Sequence, residues 1–296
     1  MRPGRVEDLP AMVRLWEHEV LAGRRDSAPQ NRFMQRILSG FDWEACSRIE
    51  EGDGGIRGVV LVMRRPSGDS TLARVEAAVM TADDDELLQS LVGWGLGLSR
   101  AAGARVAQVW RAQGTAEWLT EAGMLPVRPW LRMDRSLDTP LPPIPLVEGY
   151  RLLESASVPA GAWVDTFNRS FADHWRHTDR TVDEFRLGRW PDLELMLADS
   201  AGNPAALSLS EIVTYEVDRR PQPVGVVGPV GTLPGHRRRG LARWLVTESL
   251  ARLTAAGAVT ASLYVDGKNE HRAADLYSEL GFEVTFDTTV WEATFP

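Results

Sequence analysis

The chain repeats one pattern of glycine-closed helices and strands on both sides of its midpoint. Residues 101–104, Ala-Ala-Gly-Ala, recur as residues 255–258, and an apolar strand-like run follows in both places. Residues 118–124 and 276–282 each have the pattern of a helix that ends at a glycine and leads into another strand. A repeat of about 150 residues is far longer than a solenoid repeat, so it predicts a duplicated domain.

A proline-rich segment separates the two copies. Residues 138–149 contain four prolines, which lack N–H groups and favour extended backbone, so this segment is predicted to be a linker. The predicted domains are residues 1–137 and residues 150–296. A chain of 296 residues is long enough for two domains with separate cores.

The order of predicted elements in the second copy indicates the fold class. Strands are predicted near 150–154, 192–198, 203–216, 223–232, 258–265, 282–286 and 289–295, and the main helices near 159–172, 181–188, 240–256 and 270–280. This order predicts an α/β fold, of the α+β kind with a mixed sheet, present in two tandem copies.

The composition argues against several classes of function. The net charge of −8 disfavours a general nucleic-acid binder and favours cationic small-molecule partners. Cys46 is the single cysteine and the five histidines show no helical ligand pair, so we expect no disulfide and no metal. The chain has no apolar run near the length of a membrane span and no apolar leader, so we expect a cytoplasmic protein without a membrane partner.

Residues 232–242, Thr-Leu-Pro-Gly-His-Arg-Arg-Arg-Gly-Leu-Ala, join a predicted strand to a predicted helix. The first N–H groups of a helix and its dipole attract anions, and three arginines add positive charge there. Gly240 permits close approach of a ligand to the backbone, and Ala242 is too small to obstruct it. This pattern suits a pyrophosphate, although a solvated basic turn is the alternative interpretation.

Two motifs in this order resemble the signatures of the GNAT acetyltransferase superfamily. The first is Arg237-x-x-Gly240-x-Ala242, and the second is Asn269 followed by Ala273 and by residues 276–282, Leu-Tyr-Ser-Glu-Leu-Gly-Phe. The tandem organisation resembles that of the mycothiol synthases, which combine an inactive and an active GNAT domain. The resemblance implies acetyl-CoA as co-substrate and direct attack by an amine in a ternary complex.

The same resemblance implies a set of residues that bind acetyl-CoA. They are Val230, Gly231, Thr232, Arg237, Arg238, Arg239, Gly240, Leu241, Ala242, Arg243 and Asn269. Gly228-Pro229 interrupts the preceding strand, which predicts a bulge that admits the cofactor. Asn269 lies eight residues before Tyr277 rather than the usual seven, so either Glu270 takes its place or the loop bulges.

Tyr277 matches the tyrosine that family members commonly use as the general acid; a half-buried packing role is the alternative. The mycothiol synthases carry a glutamate at the position of Val226, so Glu211 and Glu216 on the neighbouring strand become candidates for the general base. Surface ion pairs are the alternative role for both glutamates.

The acceptor site is predicted after the first helix of the second copy. Asp173, His174 and Trp175 are the candidate acceptor-binding residues, since a carboxylate and an indole face attract a cation. Helix capping and packing explain these three residues as well.

The first copy is predicted to bind no cofactor. Aligning Gly103 with Gly257 places Asp83-Asp84-Asp85-Glu86 where the second copy has Arg237–Gly240. Carboxylates repel a pyrophosphate, although they also suit a helix start. Matching residues 118–124 with residues 276–282 places Leu119 at the position of Tyr277.

The leading hypothesis is an N-acetyltransferase for a small amine, such as an aminoglycoside-like or peptide antibiotic or a thiol–sugar conjugate. A protein or peptide N-acetyltransferase and a non-catalytic acetyl-CoA-binding regulatory module are the alternatives. The expected assembly is a monomer or a homodimer.

Overall fold

Helices and strands alternate through both halves of the computed structural model, which describes residues 1–27, 40–67, 70–81, 84–186, 191–217 and 220–296. The chain divides into two units. The N-terminal unit comprises Met1–Trp130 together with Phe286–Pro296, and the C-terminal unit comprises Leu131–Thr285. Within the described ranges, no helix is long and apolar enough to cross a membrane.

The N-terminal unit contains helices on a mixed sheet. Its helices are α1 (Leu9–Leu21), α2 (Trp43–Cys46) and α3 (Asp85–Ala101), and its strands are β1 (Ser47–Gly52), β2 (Gly55–Ser67), β3 (Ser70–Val79), β4 (Val106–Ala112) and β11 (Glu283–Thr294, from Phe286 onward). The sheet order is β1-β2-β3-β4-β11, in which β3 and β4 are parallel and the other neighbours antiparallel.

The C-terminal unit has the same arrangement. Its helices are α4 (Ala160–Phe171), α5 (Val182–Arg186), α6 (Leu241–Ala255) and α7 (Ala273–Glu279), and its strands are β5 (Leu125–Ser136, from Leu131 onward), β6 (Tyr150–Leu152), β7 (Glu194–Asp199), β8 (Pro204–Val217), β9 (Arg220–Thr232) and β10 (Thr260–Asp266). The sheet order is β5-β10-β9-β8-β7-β6, and β9 and β10 are parallel. Each unit therefore includes the last strand of the other sequence copy.

Each unit buries one helix against each face of its sheet, because alternate strand residues point to opposite faces. In the N-terminal unit, Leu88, Leu91 and Val92 of α3 pack with Val60 and Val75, and Met12, Leu15 and Trp16 of α1 pack with Val59 and Leu61. In the C-terminal unit, Val246, Leu250 and Leu253 of α6 pack with Val227 and Leu263, and Trp163, Val164 and Phe167 of α4 pack with Met196 and Leu207.

Matching glycines end matching helices in the two units. Gly103 after α3 and Gly257 after α6 both have left-handed backbone, with φ of 76° and 90°. The residue after each glycine donates to a carbonyl five residues earlier, at 3.0 Å in both units. Gly123 and Gly281 repeat the same turn with φ of 77° and 82°. The duplicated α/β fold with a mixed sheet is therefore confirmed.

Several element boundaries differ from the predicted ones. Helix α7 begins at Ala273 rather than near 270, because Arg272 has left-handed backbone with φ of 55° and cannot continue a helix toward its N-terminus. One continuous strand, β11, replaces the two strands predicted over 282–295. Helix α5 is described as far as Arg186, and residues 187 and 188 lie outside the described part.

The proline-rich segment 138–149 has neither helix nor strand. Its apolar side chains nevertheless pack on the C-terminal unit: Leu141 joins the cluster under α6, and Leu146 and Val147 join a cluster with Leu241. The domain boundaries given by the sequence, with this segment as linker, stay a prediction.

Candidate functional site

A bulge interrupts β9 where the sequence has Gly228-Pro229. Ser208 of β8 pairs with Val230 of β9, and the next pair is Ser210 with Val227. One residue of β8 therefore lies opposite two residues of β9 between these pairs. A Cβ on Gly228 would lie 1.6 Å from the carbonyl oxygen of Leu209, which leaves room for glycine alone. The predicted bulge is therefore present, and lack of space requires the glycine.

The bulge coincides with the point where β9 and β10 separate. Their parallel pairs run from Val224–Thr260 to Val226–Ser262, yet β9 continues to Thr232 and β10 to Asp266. Beyond Val226, β9 keeps its pairs with β8 but has no partner among the described residues on its β10 side. We call this opening the β9–β10 gap. The predicted cofactor residues Val230, Gly231 and Thr232 lie along it.

The arginine loop follows β9 and ends at the N-terminus of α6. Gly240 is the N-cap residue and has left-handed backbone with φ of 84°, and Arg238 shares that conformation with φ of 62°. Among the described residues, no protein acceptor receives a hydrogen bond from the N–H groups of residues 238–243. Unpaired N–H groups and a helix dipole attract anions, and we call residues 238–243, which include Leu241 and Ala242, the cradle.

The four arginines around this cradle differ in what their side chains contact. Arg237 donates to the carboxylate of Asp173 and to backbone carbonyls, and Arg243 pairs with Glu279 of α7. Arg239 donates to the hydroxyl of Tyr150 at 3.0 Å. Arg238 is exposed and makes no ion pair with another described residue. The sequence grouped all four arginines with the pyrophosphate. In the described part of the chain, Arg237 and Arg243 form ion pairs, whereas Arg238 and Arg239 are exposed and have no ionic partner.

Tyr277 lies on α7 and packs against the core cluster that contains Val227 and Leu263. Its ring packs edge-on against Phe282, with centroids 6.1 Å apart, and the side chain is half-buried. Burial raises the pKa of the Tyr277 hydroxyl to about 12. The phenol is therefore neutral at ordinary pH and able to donate a proton. In the N-terminal unit Leu119 takes the matching place: the N–H of Met124 donates to the carbonyl of Leu119, as the N–H of Phe282 donates to the carbonyl of Tyr277.

The register of β8 and β9 distinguishes the two candidate bases. Glu211 lies directly opposite Val226, so both side chains project from the same face of the sheet with Cβ atoms about 5 Å apart. This face is also the one covered by α4, since Leu207 and Leu209 pack there. Glu211 is exposed. Glu216 pairs with Pro221 near the end of the hairpin, and its side chain lies outside the described part.

The three predicted acceptor residues follow α4. Asp173 receives two hydrogen bonds from Arg237, and these lower the pKa of its carboxyl group to about 2. Burial lowers the pKa of His174, whose ring packs edge-on against Phe171 with centroids 4.7 Å apart. Trp175 is half-buried beside Arg176. Asp173 is therefore neutralised by an ion pair.

Asn269 shapes the loop between β10 and α7. Its Oδ1 accepts the N–H of His271 at 2.8 Å, and its carbonyl accepts the N–H of Arg272. Asn269 therefore closes a tight turn before α7, and the choice between Asn269 and Glu270 as the family's asparagine position stays a prediction. This turn positions His271, whose Nε2 lies 3.2 Å from Asp173 Oδ2.

Sequence reasoning missed His271, Ser170 and Tyr150. His271 follows Asn269 by two residues within the recognised motif, which is a usable signal. Ser170 and Tyr150 contact the arginine loop through a carbonyl and a hydroxyl, and no sequence pattern marks them.

Asp173, His174 and His271 also hold potential metal-ligand atoms within 4.8 Å of one another. The Arg237 guanidinium contacts both carboxylate oxygens of Asp173 and lies 3.2 Å from His271 Nε2. A positive charge already contacts Asp173 and His271, two of the three groups, so the site does not suit a metal cation.

The corresponding region of the N-terminal unit is built differently. The β2–β3 pairs run from Gly58–Val79 to Ser67–Ser70 without a register shift, so β3 has no bulge. The first turn of α3 carries Asp85 and Glu86, and its N-cap Asp84 pairs with Arg57 at 2.7 Å. Asp83 lies outside the described residues.

Side chains also cover the edge of β3 beyond its last pair with β4. Arg111 donates to the carbonyl of Ala77 at 2.9 Å, and the N–H of Val79 donates to Glu19 at 3.4 Å. Arg111 and Glu19 themselves form a buried ion pair at 2.7 Å. The backbone groups that are open along β9 are thus satisfied internally along β3.

The chain resembles known proteins in sequence and in fold. The family model described as "FR47-like protein" matches residues 210–292, which include the gap, the cradle and Tyr277. The mycothiol acetyltransferase of Thermobispora bispora is 34% identical over 165 residues, covering 54% of this chain and 55% of that protein. The corresponding protein of Kytococcus sedentarius is 33% identical over 171 residues, with the same coverage. The matches thus span about half the length of these relatives.

Solved structures share the fold over the whole chain. A GCN5-related N-acetyltransferase from Sphaerobacter thermophilus has a TM-score of 0.76 at 22% identity, covering 99% of this chain and 94% of that one. A tandem GNAT protein from the clavulanic acid biosynthesis pathway has a TM-score of 0.72 at 16% identity, covering 100% and 98%. The expected resemblance to GNAT acetyltransferases, in the tandem form, is confirmed.

Proposed function

This chain has the tandem GNAT fold and resembles the FR47-like family over residues 210–292, and from that premise we propose that it is an acetyl-CoA-dependent N-acetyltransferase acting on a small-molecule amine. The observation that carries the proposal is the continuity of the β9–β10 gap with the anion-binding cradle. An open strand edge begins at the Gly228 bulge and leads to unpartnered N–H groups at the start of α6.

The residues fit the two parts of acetyl-CoA. The open edge of β9 offers backbone donors and acceptors to the amide groups of the pantetheine arm, as an added strand would receive them. The cradle N–H groups of residues 238–243, with Arg238 beside them, suit the pyrophosphate. Bound acetyl-CoA supplies a thioester whose acetyl group is transferred to the amine.

Glu211 is the group we propose to remove the proton from the attacking amine. It projects beside Val226 at the bulge end of the gap, on the face that α4 covers, and its exposure allows transfer directly or through one water. Backbone N–H groups near Val230 would stabilise the negative charge that develops on the acetyl oxygen.

Tyr277 is the group we propose to return a proton to the departing sulfur. Burial raises the pKa of its hydroxyl to about 12, so the proton is present across the working pH range. In the N-terminal unit the buried Leu119 takes the place of Tyr277, so packing at that place does not require a hydroxyl. This difference supports a chemical role for the Tyr277 hydroxyl.

A small amine is the acceptor class that we propose. The relatives that match half of the chain are named mycothiol acetyltransferases, and the net charge of −8 favours a cationic partner. A peptide acceptor and a regulatory module that binds acetyl-CoA without turnover remain the competing hypotheses.

Thiol release from acetyl-CoA, measured with panels of amino sugars, aminoglycosides, other small amines and peptides, tests the proposal. Release that depends on a small amine supports it, and release with peptides alone contradicts the acceptor class. Binding of acetyl-CoA without release by any panel member favours the regulatory module.

A further inference from the structure

Three side chains from three separate segments meet at the wide end of the β9–β10 gap. Arg237 Nη1 lies 2.5 Å from Asp173 Oδ2 and 3.2 Å from His271 Nε2, and His271 Nε2 lies 3.2 Å from the same carboxylate oxygen. These three residues lie within the C-terminal unit but far apart in sequence.

Each segment fixes its side chain through a further contact. Arg237 donates from Nε to the carbonyl of Thr232, the last residue of β9, and from Nη2 to the carbonyl of Ser170 near the end of α4. The turn closed by Asn269 holds His271 after β10. The contact therefore joins the end of β9, the end of α4 and the loop after β10.

This arrangement bridges the gap at the end where a bound pantetheine arm would leave it. The strands β9 and β10 separate after Val226, so the distance between them is bridged by side chains rather than by backbone pairs. Gly231 in the gap lies directly under Ser170 and Phe171, because a Cβ there would approach each to 2.8 Å. The end of α4 and the bridge thus cover the same face of the gap.

We propose that Arg237, Asp173 and His271 form a clasp that closes over the pantetheine arm of coenzyme A and limits its release. The inference rests on the proposed function. It assigns Asp173 to cofactor retention rather than to the acceptor, since its charge is neutralised by Arg237. It also assigns Arg237 to the clasp rather than to the pyrophosphate.

The clasp is built to open. Asp173 and His271 are each 47% exposed, and ion pairs in such positions stabilise a structure weakly because water screens them. Arg237 is the more buried member, at 22% exposure, and keeps its backbone contacts to both sides. Opening then requires movement of Asp173 or His271 while Arg237 stays in place.

The direction in which Asp173→Asn changes the dissociation rate of coenzyme A distinguishes a clasp from a simple electrostatic effect. If Asp173 merely lay near the phosphates of coenzyme A, neutralising it would remove repulsion and slow dissociation. If Asp173 holds the clasp, Asp173→Asn weakens the closure and coenzyme A dissociates faster. The matched control is Asp165→Asn. It removes an exposed ion pair between Asp165 and Arg169, both of which lie on α4.

The experiment measures dissociation of coenzyme A from the full chain by stopped-flow displacement. We expect Asp173→Asn and His271→Ala each to raise the dissociation rate about threefold to fivefold, the range expected for an exposed ion pair, and the double variant to add little. Asp165→Asn should dissociate at the wild-type rate. An unchanged or slower rate in Asp173→Asn overturns the clasp.

The same experiment distinguishes this inference from the function on which it rests. Failure of the wild-type chain to bind coenzyme A overturns both. If the wild-type chain binds coenzyme A and both clasp variants release it at the wild-type rate, the clasp is overturned and the cofactor site stands. His271→Ala serves as the second variant if Asp173→Asn does not fold.

Discussion

Replacing Gly228 by alanine tests whether the bulge in β9 produces the cofactor site. The added Cβ would lie 1.6 Å from the carbonyl oxygen of Leu209 and 2.8 Å from its carbonyl carbon. An ordinary approach of carbon to oxygen is about 3.3 Å, so the two strands must separate locally by about 1.7 Å. The obstacle is backbone, so rotation of a side chain cannot relieve it.

Two costs combine in this variant. Inserting a methyl group into a well-packed site costs about 1–3 kcal/mol, and losing one hydrogen bond between β8 and β9 costs about 1 kcal/mol. We therefore expect Gly228→Ala to lower the free energy of unfolding by about 2–4 kcal/mol. Because the bulge also sets where β9 leaves β10, the affinity for coenzyme A should fall at least tenfold.

Urea denaturation measures the first effect and isothermal titration with coenzyme A the second. Gly161→Ala is the control: it lies in α4, where a Cβ meets nothing within 4 Å, so stability should change by less than about 1 kcal/mol. Wild-type stability together with wild-type affinity in Gly228→Ala would refute the role given to the bulge.

Three further predictions concern individual side chains. Tyr277→Phe should lower kcat about 100-fold with little change in acetyl-CoA affinity, and an unchanged kcat in steady-state assays would exclude the general-acid role. Arg238→Gln should raise the Kd for coenzyme A, with a smaller dependence on salt than in the wild-type chain; an identical salt dependence would place its charge outside the cradle. Glu19→Gln should destabilise the chain by about 3–5 kcal/mol in urea because it leaves Arg111 buried without its partner, whereas Glu19→Leu combined with Arg111→Met should recover most of that loss. Burial by itself raises the pKa of Glu19, but the charges of Arg24 and Arg111 outweigh burial and hold that pKa below 4.5. The stabilisation from this ion pair is therefore present above pH 4.5 and is lost on acidification. A free energy of unfolding that stays constant between pH 6 and pH 3 would contradict the assignment.

Local signals in the sequence were sufficient for the framework of the fold. Gly103 and Gly257 have left-handed backbone after long helices, and Gly-Pro at 228–229 lies at the bulge. The sequence marks these places because few residue types other than glycine tolerate such backbone geometry. The cradle at Gly240 was predictable for the same reason.

Contacts between distant segments were beyond the sequence. Arg237 and Asp173 are 64 residues apart, and nothing in either segment indicates that they meet. The position of Glu211 opposite Val226 depends on a register that the bulge shifts by one residue, so spacing alone could not choose between Glu211 and Glu216. The start of α7 at Ala273 depends on the unusual backbone of Arg272, an arginine that no propensity would mark as left-handed.

The covered edge of β3 was also unpredictable in its mechanism. The acidic run before α3 indicated that the first copy lacks a phosphate cradle, but the buried pair of Arg111 with Glu19 was not expected. These side chains satisfy backbone groups of Ala77 and Val79 that would otherwise be free to bind a ligand. The two copies thus differ at this edge: side chains complete it along β3, whereas the edge of β9 is open to the coenzyme A that we propose binds there.

A crystal structure of the chain with coenzyme A bound would show directly whether the opening along β9 is the cofactor site. We expect one coenzyme A per chain, with its pantetheine arm along residues 227–232 of β9 and its pyrophosphate on the N–H groups of residues 238–243. Coenzyme A bound along β3 of the N-terminal unit, or bound away from the Gly228 bulge and the start of α6, would contradict this expectation.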